Sequence, residues 1–171
     1  MRPERHEAVT IRLPKPLPYM MPMVMDLVYG GGGTGLNFRH DRPGELITEI
    51  HSSTDAGPAD PDAYNEHLED AGREHLAALL LERLPGLDGA GFGRGWAGLY
   101  PESIDRRPFV GPFDGAPNLI AVAGAGGYGI QLSPIMGALA ADWLTQGAPD
   151  ILPEAAVLRP DAKRVAVRMN G

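Results

Sequence analysis

The fold of this chain is decided by one continuous stretch, Asn118-Leu119-Ile120-Ala121-Val122-Ala123-Gly124-Ala125-Gly126-Gly127-Tyr128-Gly129. Its apolar first half predicts a strand, and its second half is a glycine loop with the pattern G-x-G-x-x-G. Apolar residues then recur at helical spacing: Leu132, Ile135, Met136, Leu139, Ala140, Trp143 and Leu144. Such a strand, tight turn and helix start direct free backbone N–H groups and the positive end of the helix dipole toward an anionic or electron-rich ligand.

A second glycine loop, Gly30–Gly35, has the same pattern but a different context. The segments after it, Leu36–Arg39 and Glu45–Ile50, alternate like a hairpin about the turn Asp41-Arg42-Pro43-Gly44. Because this loop leads into a strand and not a helix, we interpret it as a flexible connection. Only the loop at Gly124–Gly129 has the context that the fingerprint requires.

The N-terminal part of the chain predicts strands separated by prolines. Ala8–Ile11 is compatible with a strand, and Met20–Val28 is an apolar run interrupted by Asp26. We expect this run to be a strand covered on both faces, with its methionines in the core. A carboxylate inside it needs hydrogen-bond donors or a shifted pKa, so Asp26 is either a structural anchor or a site residue.

The clearest amphipathic helix follows. Asp60 is placed to cap it, Pro61 to occupy its first position, and Pro85 to end it. Phe92–Tyr100 is β-rich, and the chain after Gly147 predicts an irregular strap with a possible strand at 164–168.

Composition narrows the classes of function. The chain has 171 residues, with 15 Lys and Arg against 22 Asp and Glu, so its formal net charge is −7. The acidic balance and scattered basic residues argue against a nucleic-acid partner. The absence of cysteine excludes disulfides, Fe–S clusters and thiol nucleophiles. No apolar run is long enough for a membrane span, and a cytoplasmic location is the expectation.

Few side chains predict chemistry on their own. The five histidines lack metal-site spacing, so no metal site is predicted. No serine lies in a nucleophile elbow, and Ser133 is interpreted as a helix cap beside Pro134. Several side chains could orient a carboxylate, although each of these residue types is more often structural. They are Tyr100, Arg39, Arg94, Arg106 and Arg107.

Two longer runs, Gly95–Gly111 and Asn118–Pro134, carry a resemblance to a family. They are similar to the C-terminal half of FAD-dependent amine and amino-acid oxidoreductases of the D-amino-acid oxidase superfamily. The Trp96-Ala97-Gly98-Leu99-Tyr100 form resembles the branch of the sarcosine oxidase β subunit, dimethylglycine dehydrogenase and dye-linked proline dehydrogenase. Met23–Asp26 and Gly35–Arg39 resemble that branch's substrate-domain strands.

The resemblance implies an α+β fold. An antiparallel substrate-domain sheet with a flanking helix is expected over 1–110, and the strand, glycine loop and helix of an FAD-binding domain over 111–147, followed by an irregular tail over 148–171. It also implies that backbone N–H groups of the loop face the pyrimidine edge of the flavin. The cofactor-binding residues would be Gly124, Gly126, Gly127, Tyr128, Gly129, Ile130 and Gln131.

The amine substrate would face Tyr100 and Arg39, which are the predicted catalytic residues, and the strand that contains Asn37. Two positions depart from the family pattern. Many members have an aromatic residue at Asn37, and amino-acid oxidases have an arginine where Tyr100 stands, so a carboxylate clamp is not implied.

The strand, G-x-G-x-x-G loop, helix and glutamate that hold the ADP half of FAD in such enzymes have no counterpart in this sequence. The expectation is therefore a split or truncated subunit that shares FAD with an N-terminal Rossmann-containing partner. Its reaction would be hydride transfer from the carbon beside a small amine or amino acid to the flavin. The alternative is a stand-alone binding or structural domain that has lost catalysis.

Overall fold

The structure is a computed structural model that describes residues 1–26, 34–52 and 58–163. Its elements in chain order are β1 (Arg2–Arg12), β2 (Val24–Asp26), β3 (Thr34–Arg42), β4 (Glu45–Ser52), α1 (Asp70–Arg83), β5 (Gly91–Glu102), β6 (Phe109–Phe113), β7 (Ala116–Ala123), a 3-10 turn (Gly126–Tyr128), α2 (Gly129–Gln146) and a second 3-10 segment (Pro153–Leu158). Most of the loop at 30–35 and the possible strand at 164–168 lie outside the described residues.

The chain divides into two compact units. One unit is Arg5–Leu99, and the other joins Met1–Glu4 to the chain from Tyr100 onward. The predicted limits at residues 110 and 147 stay predictions.

A five-stranded sheet in the order β2-β3-β4-β1-β5 forms the framework of the larger unit. The β2–β3, β3–β4 and β4–β1 pairs are antiparallel, and the predicted hairpin is confirmed, with Gly44 at φ +79° in its turn. Helix α1 packs on one face through Leu76 and Leu80. The buried core there is Val9, Ile11, Leu36, Phe38, Leu46, Leu68, Leu76 and Leu80. This α+β arrangement confirms the predicted fold class.

The smaller unit is built on the β6–β7 hairpin and α2. Strand β6 pairs antiparallel with β7, with Val110 opposite Val122. The core of this unit contains Val110, Met136, Leu139 and Ala155. Helix α2 ends at Gln146, and its C-cap Gly147 has a left-handed φ of +75° while its N–H donates to the Trp143 carbonyl.

The prediction that a helix begins at Asp60 was wrong, because α1 begins at Asp70. The backbone before it is held by side chains of β1. The Arg5 guanidinium donates to the carbonyls of Asn65 and His67, and the Glu7 carboxylate accepts from the Glu69 N–H. These tertiary hydrogen bonds use groups that a longer helix would have paired internally.

The prediction that the methionine run is covered on both faces was also wrong. Strand β2 is at the edge of the sheet, and Met20, Met23 and Met25 are exposed, although Met21 packs against the core. Asp26 forms an ion pair with Arg83 at the end of α1. Two roles were predicted for Asp26, and this contact supports the role of structural anchor.

Ser133 lies inside α2 and not at its cap, because the helix already begins at Gly129. Its hydroxyl donates to the Ile130 carbonyl at 2.9 Å. That carbonyl would otherwise accept from the N–H of residue 134, which proline lacks. Ser133 therefore satisfies the carbonyl that Pro134 leaves unpaired.

Candidate functional site

The glycine loop follows β7 and leads directly into α2. Gly124 and Gly126 have left-handed φ values of +70° and +54°, and the chain then makes the 3-10 turn Gly126–Tyr128 before the helix. Two such residues in one loop require glycine, because a Cβ would strain the backbone at both. The predicted strand, loop and helix are confirmed in this order.

Two side chains of β5 fill the space above the loop glycines. A Cβ added at Gly126 would lie 2.8 Å from Cδ of Glu102, and one added at Gly127 would lie 2.5 Å from Cε2 of Tyr100. Tyr100 and Glu102 are two residues apart on one strand, so their side chains leave the same face. The structure therefore brings the predicted residue Tyr100 against the predicted cofactor loop.

The start of α2 is open toward a ligand. Its N-cap, Tyr128, makes no side-chain capping bond, and the first turn carries no acidic residue. The side chains of Tyr128, Ile130 and Gln131 are exposed, and Ile130 is 90% exposed. The first backbone N–H groups of a helix have no intrahelical acceptor, so this end suits an electron-rich group.

A charged cluster lies beside the loop. Glu4 and Glu102 are buried, and the Arg106 guanidinium lies 3.5 Å from the first and 3.8 Å from the second. Arg106 reaches them from a left-handed backbone, with φ +56°. Burial raises the pKa of the Glu102 carboxyl above its ordinary value, while Arg106 opposes this rise and Glu4 adds to it.

This raised pKa predicts a pH-dependent stability. The folded chain holds the Glu102 proton more tightly than the unfolded chain. The contribution of this protonated carboxyl to the stability of the fold is therefore complete below the pKa of Glu102 in the unfolded chain, and it is lost as pH rises through the pKa in the folded chain. We expect Glu102→Gln to melt at a higher temperature than the wild type at neutral pH and at a similar one near pH 4, about the ordinary pKa of glutamate. Calorimetric melting curves across pH would measure this.

Glu154→Gln is the matched control, because Glu154 is exposed in the same unit. It should follow the wild type at each pH. Melting curves of Glu102→Gln that run parallel to those of the wild type would show that Glu102 ionises at its ordinary pKa.

The face of the sheet opposite α1 carries the other predicted catalytic residue. Arg39 is exposed on β3, where its Nη1 donates to the His40 carbonyl at 2.7 Å and lies 3.8 Å from Asp41. It lines a cavity of about 180 Å³ together with Met23, Asn37 and Glu49. Whether Arg39 and Tyr100 act in catalysis stays a prediction.

Glu102 was missed from the sequence, although a signal for it exists. A strand that ends in Tyr100-Pro101-Glu102 places residues 100 and 102 on one face, so a role for one implies proximity of the other. The resemblance already placed the strand of Asn37 facing the substrate, but the burial of the Asn37 side chain is shown only by the structure.

The described residues give two further findings. Within 1–26, 34–52 and 58–163, no group of three or more histidines and carboxylates is arranged to hold a metal ion. No helix in these ranges combines the length and apolar character that crossing a bilayer requires.

Comparison with known proteins identifies one family and relatives that agree with one another. A family described as FAD dependent oxidoreductase (DAO) matches residues 1–143. The chain is 33% identical over 84 residues to glycine oxidase of Bacillus licheniformis, covering 49% of this chain and 23% of that protein. For glycine oxidase of Pseudomonas putida the identity is 39% over 80 residues, covering 47% and 22%.

Solved structures show the same fold. Glycine oxidase from Geobacillus kaustophilus matches with a TM-score of 0.73 at 22% identity, over 96% of this chain and 40% of that one. L-proline dehydrogenase from P. horikoshii gives 0.72 at 22% identity, over 90% and 38%. The chain thus spans less than half the length of each of these relatives. Since the family match extends over most of its residues, the chain belongs to the DAO family of FAD-dependent oxidoreductases.

Proposed function

We propose that this chain is the substrate-domain and C-terminal part of an FAD-dependent oxidoreductase that oxidises a C–N bond of a small amine or amino acid. The observation that carries the proposal is the family match over residues 1–143, in a chain that covers only 38–40% of its structural relatives. An N-terminal Rossmann half, on another chain or segment, would supply the ADP-binding part. Relatives named glycine oxidase suggest glycine as a first substrate to test.

The start of α2 supports the glycine loop as the cofactor site, because it has no side-chain cap and presents its backbone N–H groups. Gly126 and Gly127 allow the loop to pack closely against Glu102 and Tyr100. The backbone N–H groups over Gly124–Gln131 would hold the electron-rich edge of the flavin ring and stabilise negative charge there. When bound, FAD supplies an acceptor for hydride from the carbon beside the amine nitrogen.

Two side chains are the candidates for contact with the substrate. Tyr100, packed on Gly127, carries a hydroxyl that both donates and accepts hydrogen bonds. Arg39 is a permanent cation on the exposed sheet face and suits a substrate carboxylate. The role proposed for each residue is to bind or orient the substrate, since positioning contributes much of the rate acceleration in a transfer step.

The need for a partner is supported by β7. Within the described part of the chain this strand pairs with β6 alone, so one of its edges has no strand beside it. Leu119 and Val122 on β7 are 57% and 48% exposed, and Leu144 on α2 is 71% exposed. An open strand edge with apolar side chains suits the addition of a neighbouring strand.

Co-expression tests this proposal. The chain would be produced with a separate polypeptide that contains a strand, a G-x-G-x-x-G loop and a helix, encoded beside it. We expect a yellow complex with flavin absorbance that reduces on addition of glycine or another small amine. Leu119→Glu should prevent the complex, whereas Leu81→Glu, equally exposed on α1, should leave it intact.

A different set of results would favour the stand-alone binding domain instead. These results are no flavin complex with any such partner, a monomeric isolated chain, and a cooperative melting transition that FAD does not change.

A further inference from the structure

The cavity on the exposed sheet face contains a buried polar atom that its protein neighbours do not satisfy. Asn37 is 3% exposed, it lines the cavity, and its Oδ1 has no hydrogen-bond partner among the described residues. An amide oxygen removed from water without a donor costs free energy, so native structures rarely keep one unless a ligand or water donates to it.

The orientation of this amide is fixed by Glu49. Asn37 Nδ2 donates to Glu49 Oε1 at 3.1 Å, and the two residues face each other across the β3–β4 pair. Since a carboxylate accepts and cannot donate, it must face the NH₂ group, which leaves Oδ1 as the free acceptor. The register places this pair next to Met25 on one side and Ala8 on the other.

The chemistry of the cavity selects a class of ligand. It offers an amide oxygen and a carboxylate as acceptors, one negative charge from Glu49, and apolar walls from Ala8, Met23 and Ile47. At about 180 Å³ it is smaller than the pockets that hold drug-sized ligands. An alkylammonium group has several N–H donors, a positive charge and a short apolar stem, whereas a hydroxyl has one donor and no charge.

We propose that this cavity binds the ammonium group of the substrate amine, with Asn37 Oδ1 and the Glu49 carboxylate as its acceptors. The proposal rests on the proposed function and names the group that selects its substrate. Arg39, which lines the same cavity, supplies a counter-charge for a carboxylate on the same ligand. A small amino acid would therefore bind here with its nitrogen protonated, and that nitrogen must lose a proton before hydride can leave the neighbouring carbon.

Binding by the isolated 171-residue chain tests this without flavin or partner. Methylammonium, tetramethylammonium, acetate and glycine would each be titrated while the backbone amide signals of residues 37 and 49 are followed by NMR. We expect saturable shifts with methylammonium and glycine, and at least tenfold weaker binding of tetramethylammonium, which has the charge but no N–H donor. Acetate alone should shift these signals far less than methylammonium.

Variants separate the two acceptors. Glu49→Gln keeps an oxygen for Asn37 Nδ2 but removes the charge, so methylammonium should bind at least tenfold more weakly. Asn37→Ala should have a similar effect, and a dispersed amide spectrum would show that each variant is folded. Glu74→Gln, exposed on α1, should stay within twofold of the wild type.

Equal binding of methylammonium and tetramethylammonium, a dominant acetate shift, or no shift at all would each overturn the assignment. Methylammonium binding in a chain that never forms a flavin complex would contradict the proposed function alone. A yellow, amine-reducible complex whose sheet face does not bind methylammonium would contradict this inference alone.

Discussion

Leu76→Ala is expected to destabilise the Arg5–Leu99 unit by about 2–5 kcal/mol, the range for truncating a fully buried leucine. Leu76 has no exposed surface and lies where α1 meets the sheet. The loss combines the transfer free energy of the removed methyl groups with the cavity left behind, which a strand-backed core cannot easily close.

Urea unfolding would measure this change through Trp96, which belongs to the same unit. A Trp143→Phe background removes the signal of the other unit. Leu81→Ala is the matched control, because Leu81 is on the same helix but 55% exposed, and it should cost less than about 0.5 kcal/mol. Equal losses for the two leucines would show that α1 does not pack through Leu76.

The second large effect is expected at the glycine loop. Gly126→Ala should destabilise the unit that contains Tyr100 by about 1–3 kcal/mol, because alanine is strained at φ +54°. Its Cβ would also press on the Glu102 carboxylate, which Arg106 holds in place. In the flavin complex the displaced loop should lose most of the bound FAD.

Gly137→Ala provides the control for this variant. Gly137 lies inside α2, and a Cβ there meets nothing within 4 Å, so alanine should stabilise the helix by about 0.5–1 kcal/mol. Unfolding followed by Trp143 in a Trp96→Phe background, together with flavin content after gel filtration, would compare the two. Full flavin content in Gly126→Ala would argue against the loop as the cofactor site.

The parts that the sequence predicted well are those that local chemistry decides. The β3–β4 hairpin follows from alternation on both sides of a glycine turn, and α2 follows from apolar spacing and its terminal Gly147. The family resemblance was confirmed because its residues form long continuous runs, and the fold class followed from it.

The parts that were missed depend on contacts between distant residues. The helix expected from Asp60 starts ten residues later because Arg5 and Glu7, far away in sequence, bind the intervening backbone. The methionine run was assigned to the core because a sequence does not show that β2 lies at a sheet edge. The free amide oxygen of Asn37 is likewise a property of the register between β3 and β4.

The discontinuous unit has a consequence for the time course of folding. Its ion pair between Glu4 and Arg106 joins residues 102 positions apart, and β1 begins in the same unit as the chain from Tyr100 onward. Closing a loop of that length costs chain entropy before the contacts that offset this cost can form. This order of events slows folding. The site beside the glycine loop should therefore be among the last parts to form, because the chain as far as Arg106 has to leave the ribosome before Glu4 can pair with it.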